Sequence, residues 1–147
     1  MSEKKNKILY LEDELGMKHT LIRALEDKGY EVRIVPNVVD AYSILIEKEN
    51  SKGFDLLIMD IYMDAMHLGK KYKLYEDRGG LCILKELIEK NVNIGVIIFS
   101  NYDDKDVREI TRARHIPYIL KSEASDEDGF YGLIDLVKKT LPIKITT

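Results

Sequence analysis

The feature that most constrains this chain is an alternation. Short apolar, strand-favouring runs stop abruptly at a polar side chain, and each is followed by a stretch with apolar residues at helical spacing. Lys7–Leu11 reads as a buried strand that stops at Glu12-Asp13-Glu14. Residues 15–28 carry Met17, Leu21, Ala24 and Leu25 on one helical face, closed by Gly29, a residue suited to a helix C-cap. Glu31–Val35 reads as a second strand and residues 38–49 as a second helix, with Val38, Ala41 and Leu45 inward. Phe54–Met59 is a third strand stopping at Asp60, and Gly80–Lys90 is a helix through Leu84, Leu87 and Ile88. Ile94–Phe99 is a fourth strand stopping at Ser100, followed by an amphipathic helix over Asp104–Arg114. Tyr118–Leu120 is a short fifth strand stopping at Lys121, and residues 127–140 give a last helix.

Five strand–helix pairs predict an α/β fold of (βα)5 type, a doubly wound five-stranded parallel sheet covered on both faces. Several strands lack polar alternation, as expected when neither face meets water. The 147 residues suit one domain of about 100–150 residues, 1–147, with its core over about 7–140. Neither an internal repeat nor a Gly/Ser/Pro-rich linker divides it.

Composition excludes several function classes. Cys82 is the sole cysteine, so no internal disulfide forms, and His19, His67 and His115 share no spacing for a zinc site. A net charge of -3 argues against a protein built to hold nucleic acid. The longest apolar runs are too short for a bilayer, and no apolar h-region follows the charged Met1–Lys7 start, so the expected location is cytoplasmic.

In open α/β sheets, ligands bind beyond the carboxyl ends of the strands. Those ends here carry Glu12, Asp13, Asp60, Ser100 and Lys121. Carboxylates gathered in one crevice repel unless a cation shares the site or one takes a proton. Oxygen-only donors select Mg2+, Mn2+ or Ca2+ over zinc. Lys121 is a point charge for a phosphate or a carboxylate, and Ser100 offers a hydroxyl. These are the parts needed to receive a phosphoryl group, with a carboxylate as nucleophile giving an aspartyl phosphate. A plainer role also exists for each: Glu12, Asp13 or Ser100 as the cap of the next helix, Tyr118 as core packing.

Four motifs occur in order, each at the end of its own strand: Tyr10-Leu-Glu-Asp-Glu14, Leu56-Leu-Ile-Met-Asp60-Ile-Tyr-Met63, Ile98-Phe-Ser100 and Tyr118-Ile-Leu-Lys121. With them the chain resembles the receiver domain of two-component response regulators, from about Lys7 to Thr140. The resemblance implies a flavodoxin-like receiver fold and a signalling domain rather than an enzyme. It makes Asp60 the phosphoacceptor and Asp13 a direct ligand of Mg2+ (Mn2+ as the alternative). Glu12 and the backbone carbonyl of Tyr62 complete the protein's share of the metal shell. Lys121 and Ser100 hold the phosphoryl group, and Tyr118 takes the aromatic switch position. The implied donor is a histidine kinase or phosphotransfer protein, and the implied output is docking to a downstream protein, without direct nucleic-acid or membrane binding.

The chain also departs from the family pattern. Only Leu141–Thr147 follows the last helix, so a stand-alone receiver is expected, docking through Lys105–Arg114 and Asp126–Lys139. The stretch Met63–Arg78 spans sixteen residues, where about 4–6 is usual, and its Met63, Met66, Leu68, Tyr72, Leu74 and Tyr75 suit either a lid over Asp60 or packing on the third helix. Ser122 replaces the usual proline after Lys121, so Lys121–Ser122 is either trans or a costly cis bond. Asp64 replaces a proline and Asn101 a small residue; together with Tyr62 they are candidates for controlling access to Asp60. Two other functions compete. A haloacid-dehalogenase-like phosphatase needs Asp-x-Asp, which Asp60-Ile-Tyr lacks, and a phosphorylation-independent pseudo-receiver would not need the intact acid, Ser and Lys set.

Overall fold

The apolar runs become strands because both of their faces are covered. The computed structural model describes residues 2–14, 18–47, 53–65, 77–124, 131–141 and 144–146. In chain order they form β1 (Ser2–Lys4), β2 (Lys7–Leu11), α1 (Lys18–Asp27), β3 (Glu31–Val35) and α2 (Val38–Tyr42), which runs on as a π-helical turn over Ser43–Glu47. Then come β4 (Leu56–Met59), α3 (Gly79–Glu89), β5 (Gly95–Ser100), α4 (Lys105–Arg114), β6 (Tyr118–Leu120), the short α5 (Lys121–Ala124), α6 (Tyr131–Thr140) and β7 (Lys144–Thr146).

Five strands pair in parallel in the order β3-β2-β4-β5-β6. Leu9, Leu11, Leu57, Met59 and Ile98 face one way, against Leu45 of the π-helical turn, Leu84 of α3 and Val107 of α4. Ile8, Tyr10, Ile58, Ile97 and Phe99 face the other way, against Leu21 and Leu25 of α1 and Leu133 and Val137 of α6. This is the doubly wound (βα)5 sheet the alternation predicts. This sheet starts at β2, adds β3 on one side and then crosses to β4 on the other, so β2 and β4 flank the point where strand order reverses.

Helix ends follow local chemistry. Gly29, at φ 95°, closes α1 as expected: its N–H donates to Glu26 O at 2.9 Å and Tyr30 N–H donates to Leu25 O at 3.2 Å, the paired bonds of a Schellman end. Asn91 and His115 take the same left-handed conformation after α3 and α4, without glycine.

The fold departs from expectation in a few places. The second helix is not one α-helix over 38–49: after Tyr42 the hydrogen-bonding widens to a π-helical turn, and 48–50 lie outside the described residues. The last helix is described over Tyr131–Thr140, and its expected start at 127 falls in residues 125–130, outside the described set; a separate helical turn at Lys121–Ala124 is not expected from the sequence. β1 and β7 pair antiparallel, with Glu3 opposite Ile145, as a two-stranded ribbon that three-residue, partly polar runs do not announce. Peptide bonds among the described residues are trans, Lys121–Ser122 included. Among those residues no helix is long and apolar enough to cross a membrane.

Candidate functional site

Strand register delivers the acids. Leu11 pairs with Met59, so Glu12 and Asp60 leave adjacent strands side by side at the switch point. Asp60 N–H donates to Leu11 O at 3.3 Å and Glu12 N–H to Val35 O at 3.1 Å, which holds both backbones in the extended sheet geometry. Lys121, first after β6, reaches across: its Nζ donates to Asp60 Oδ2 at 3.0 Å and to Glu12 Oε1, with Glu14 Oε2 at 3.9 Å. Glu12, Asp60 and Lys121 are only 2%, 4% and 3% exposed. Charges this buried persist only when paired.

Burial and pairing compete at Glu12 and Lys121: burial raises the Glu12 pKa more than the Lys121 hydrogen bond and charge lower it. Burial alone would lower the Lys121 pKa, but the hydrogen bond to Glu12 and the charge of Asp60 hold it above its ordinary value. Tyr10 donates to Glu12 Oε1 at 3.4 Å. Its phenol is pushed well up by burial and then by the Glu12 charge, so it remains a donor.

Around this centre, Tyr62 N–H donates to Asp60 Oδ1 at 3.1 Å, so each oxygen of the carboxylate has a donor. Ser100 is fully buried at the end of β5, and its Oγ accepts from Tyr102 N–H at 3.3 Å. Asp13 is exposed, as are Asp64 and Asn101. The three expected carboxylates therefore do not close on one another. Lys121 stands between Glu12 and Asp60, and among the described residues no three Asp, Glu, His or Cys side chains form a metal cluster. The donor set remains oxygen-only, two buried acids with an exposed third beside them, which is chemistry suited to a hard divalent cation.

The start of α3 packs directly against this strand end. Gly80 N–H donates to Ile61 O at 3.1 Å and Gly79 N–H to Met63 O at 2.6 Å. A Cβ on Gly80 would lie 2.1 Å from Asp60 O, and one on Gly79 would lie 2.9 Å from Met63 O. Met63 and Ala65 are buried. The expected lid falls on 63–78, of which 66–76 lie outside the described residues.

A second cluster, unread from the sequence, joins the segment after Asp60 to α4. Asp104 caps α4: its Oδ1 accepts from Val107 N–H at 3.0 Å, the cap for which Ser100 was a candidate. Its Oδ2 accepts from Tyr62 Oη at 2.8 Å and from Arg78 Nη1 at 3.1 Å, and Arg78 also reaches Asp106 at 3.2 Å. Burial would raise the Asp104 pKa, but the Val107 N–H, the Tyr62 hydroxyl and Arg78 together lower it. Tyr62 is pushed up to about 12 by burial and by the Asp104 carboxylate. Asp104 N–H in turn donates to Tyr118 Oη at 3.0 Å, and Tyr118 donates to Tyr102 O. The Arg108 guanidinium lies 4.1 Å over the Tyr118 ring, and Tyr62 meets Tyr102 edge to face at 5.0 Å. Tyr118 is thus half-buried and hydrogen-bonded at the sheet edge. The signal for Asp104 was legible, an acid three residues before the first apolar helix position; those for Arg78 and the Tyr62 hydroxyl were not.

Comparison with known proteins gives one consistent result. A family model described as the response regulator receiver domain matches residues 8–128. Among solved structures, a LuxR-family DNA-binding response regulator from Staphylococcus aureus is similar at 22% identity and TM-score 0.67, over 92% of this chain and 98% of that one. Chemotaxis protein CheY4 of Vibrio cholerae is similar at 15% identity and TM-score 0.65, over 94% and 100%. The response regulator TrrA from Thermotoga maritima, solved in complex with Mg2+-BeF, is similar at 24% identity and TM-score 0.64, over 92% and 99%. At these identities the likeness is one of fold. No curated protein sequence matches the chain.

Proposed function

The chain belongs to the response regulator receiver domain family, and from that premise we propose that Asp60 is its phosphoacceptor. The observation that carries this reading is the double hold on the Asp60 carboxylate, Lys121 Nζ on Oδ2 and Tyr62 N–H on Oδ1, at the switch point of the sheet. A carboxylate oxygen attacks the phosphorus of a phosphohistidine on a histidine kinase or phosphotransfer protein. The O–P bond forms as the N–P bond breaks, and the electron pair returns to the donor imidazole.

The residues then divide the work. Lys121 neutralises Asp60 before transfer and follows the charge onto a phosphoryl oxygen afterwards. Ser100 turns its hydroxyl from the Tyr102 amide toward the phosphoryl group. Asp13, Asp60, Glu12 and the Tyr62 carbonyl would hold Mg2+, or Mn2+ in its place, which when bound neutralises charge on the phosphoryl oxygens. Tyr62, Asp64 and Asn101 border the route to Asp60. The added charge, roughly -1.5 to -2, biases Ser100, Tyr118 and α4, and the face of α4, β6 and α6 docks a downstream protein. The domain signals by binding rather than by turnover.

Intact-mass spectrometry after incubation with Mg2+ and a small phosphodonor tests the reading. The expected result is one added phosphoryl group, absent in Asp60→Asn. Labelling that survives Asp60→Asn, or no labelling at all, overturns it.

A further inference from the structure

Asp104 receives more bonds than a helix cap needs. One Val107 N–H satisfies a cap. Here the same carboxylate, only 6% exposed, also takes the Tyr62 hydroxyl and the Arg78 guanidinium. These two come from either side of the 63–78 excursion. Tyr62 is two residues past Asp60 and contacts it through its own N–H. Arg78 immediately precedes α3, whose Gly80 is fastened to Ile61. Asp104's backbone N–H faces the other way, onto the Tyr118 hydroxyl. A continuous path of bonds therefore runs from Asp60 through Tyr62 and Asp104 to Tyr118, separate from the path through Ser100 and Tyr102.

We propose that the Tyr62–Arg78 hold on Asp104 is a latch that keeps the β5–α4 segment, and with it Tyr118, in the unphosphorylated arrangement. Asp104 is a positioning residue: it touches no reacting atom and acts through Tyr62 and Tyr118. The physical reason is a charge-assisted pair at a nearly dry carboxylate, stronger than a neutral hydrogen bond, placed across two segments that must part if Ser100 is to turn toward Asp60. The latch makes the moved arrangement a minor population, and phosphoryl uptake then competes against it. This inference rests on the phosphoacceptor reading for the event the latch opposes and for its second readout; the hold on Asp104 itself is read without phosphate.

The test uses the full chain and the variants Arg78→Met, Tyr62→Phe and Arg78→Lys. The first readout needs no phosphate: hydrogen exchange of the Asp104 amide, followed by NMR. Arg78→Met and Tyr62→Phe are expected each to speed that exchange about tenfold, with Arg78→Lys restoring part of the protection. The second readout is the initial rate of phosphoryl uptake from a small phosphodonor with Mg2+, expected to rise several-fold in Arg78→Met and to return toward wild type in Arg78→Lys. Exchange that does not change in either variant, or uptake that is unchanged or slower, overturns the latch while leaving the phosphoacceptor reading intact. Faster exchange in a chain that takes up no phosphoryl group sinks that reading and leaves the latch. Arg78 lies at the surface edge of the cluster with its side chain 21% exposed, so Arg78→Met carries the test even if Tyr62→Phe folds poorly.

Discussion

Tyr62 donates its hydroxyl to Asp104 at 2.8 Å across forty-two residues of sequence, tying the segment that leaves β4 to the N-terminus of α4. The bond gives Tyr62 two jobs on two neighbours, since its backbone N–H holds Asp60.

The Tyr62 phenol, pushed up to about 12, stays protonated through the physiological range. Because the folded value is raised, its contribution to stability is complete below the free-tyrosine value of about 10 and disappears as pH climbs through about 12. Tyr62→Phe should cost about 0.5–1.5 kcal/mol at pH 7, and the deficit should narrow on the alkaline side. Urea midpoints at pH 7 and pH 11.5 check it; a deficit that is constant with pH contradicts the assignment.

Asp104 moves the opposite way. Its folded pKa is lowered, so the stability it adds is present above the ordinary aspartate value of about 3.9 and is lost as pH falls through the folded value. Asp104→Asn retains an oxygen for the Val107 amide but loses the charge facing Arg78. The variant should be less stable than the parent at pH 6, by about 1 kcal/mol, and close to it once the parent's carboxyl is protonated. Denaturation at a series of acidic pH values measures the convergence.

Lys121→Met leaves Glu12 and Asp60 buried without their shared cation. The loss should be about 3–5 kcal/mol at neutral pH. Adding Glu12→Gln should recover a part of it, because one uncompensated charge goes with the lysine. Equal stability of the single and double variants would show that Glu12 is not held by Lys121.

Glycine substitutions separate fit from freedom. Gly80→Ala brings a Cβ against the Asp60 carbonyl, backbone that cannot yield without shifting the acid, and should cost about 1–3 kcal/mol and lower phosphoryl uptake. Gly53→Ala meets open space and does not occupy a left-handed conformation, so it should be neutral or add about 0.4–1 kcal/mol. Thermal melts of the two variants side by side make the comparison.

The sheet was legible because its signal is collective. Leu56–Met59 and Val96–Phe99 are apolar without interruption, as a strand buried on both faces reads. The strand-end residues followed from topology, and Lys121, Glu12 and Asp60 do come together. The sequence offers both a metal and Lys121 as the cation for these acids; it does not show that Lys121, just past the edge strand β6, lies between Glu12 and Asp60. The π-helical turn at Ser43–Glu47 was hidden because Ile44 and Leu45 fit an α-helix equally well. Tyr62 is expected from the sequence as a metal-shell carbonyl and at the access route, but its hydroxyl's bond to Asp104, like that of Arg78, pairs across forty-two and twenty-six positions and leaves no local pattern.

The hydrogen bond from Gly79 to Met63 carries a last consequence. It brings the two ends of the excursion to one point and fastens both to the floor beneath Asp60, by backbone alone. It thereby closes a loop of chain between Met63 and Gly79. Its length enters the free energy only logarithmically, about 0.6 kcal/mol for each doubling. A change in the number of residues between Ala65 and Asp77 should therefore cost little stability, provided the junction and Arg78 are kept.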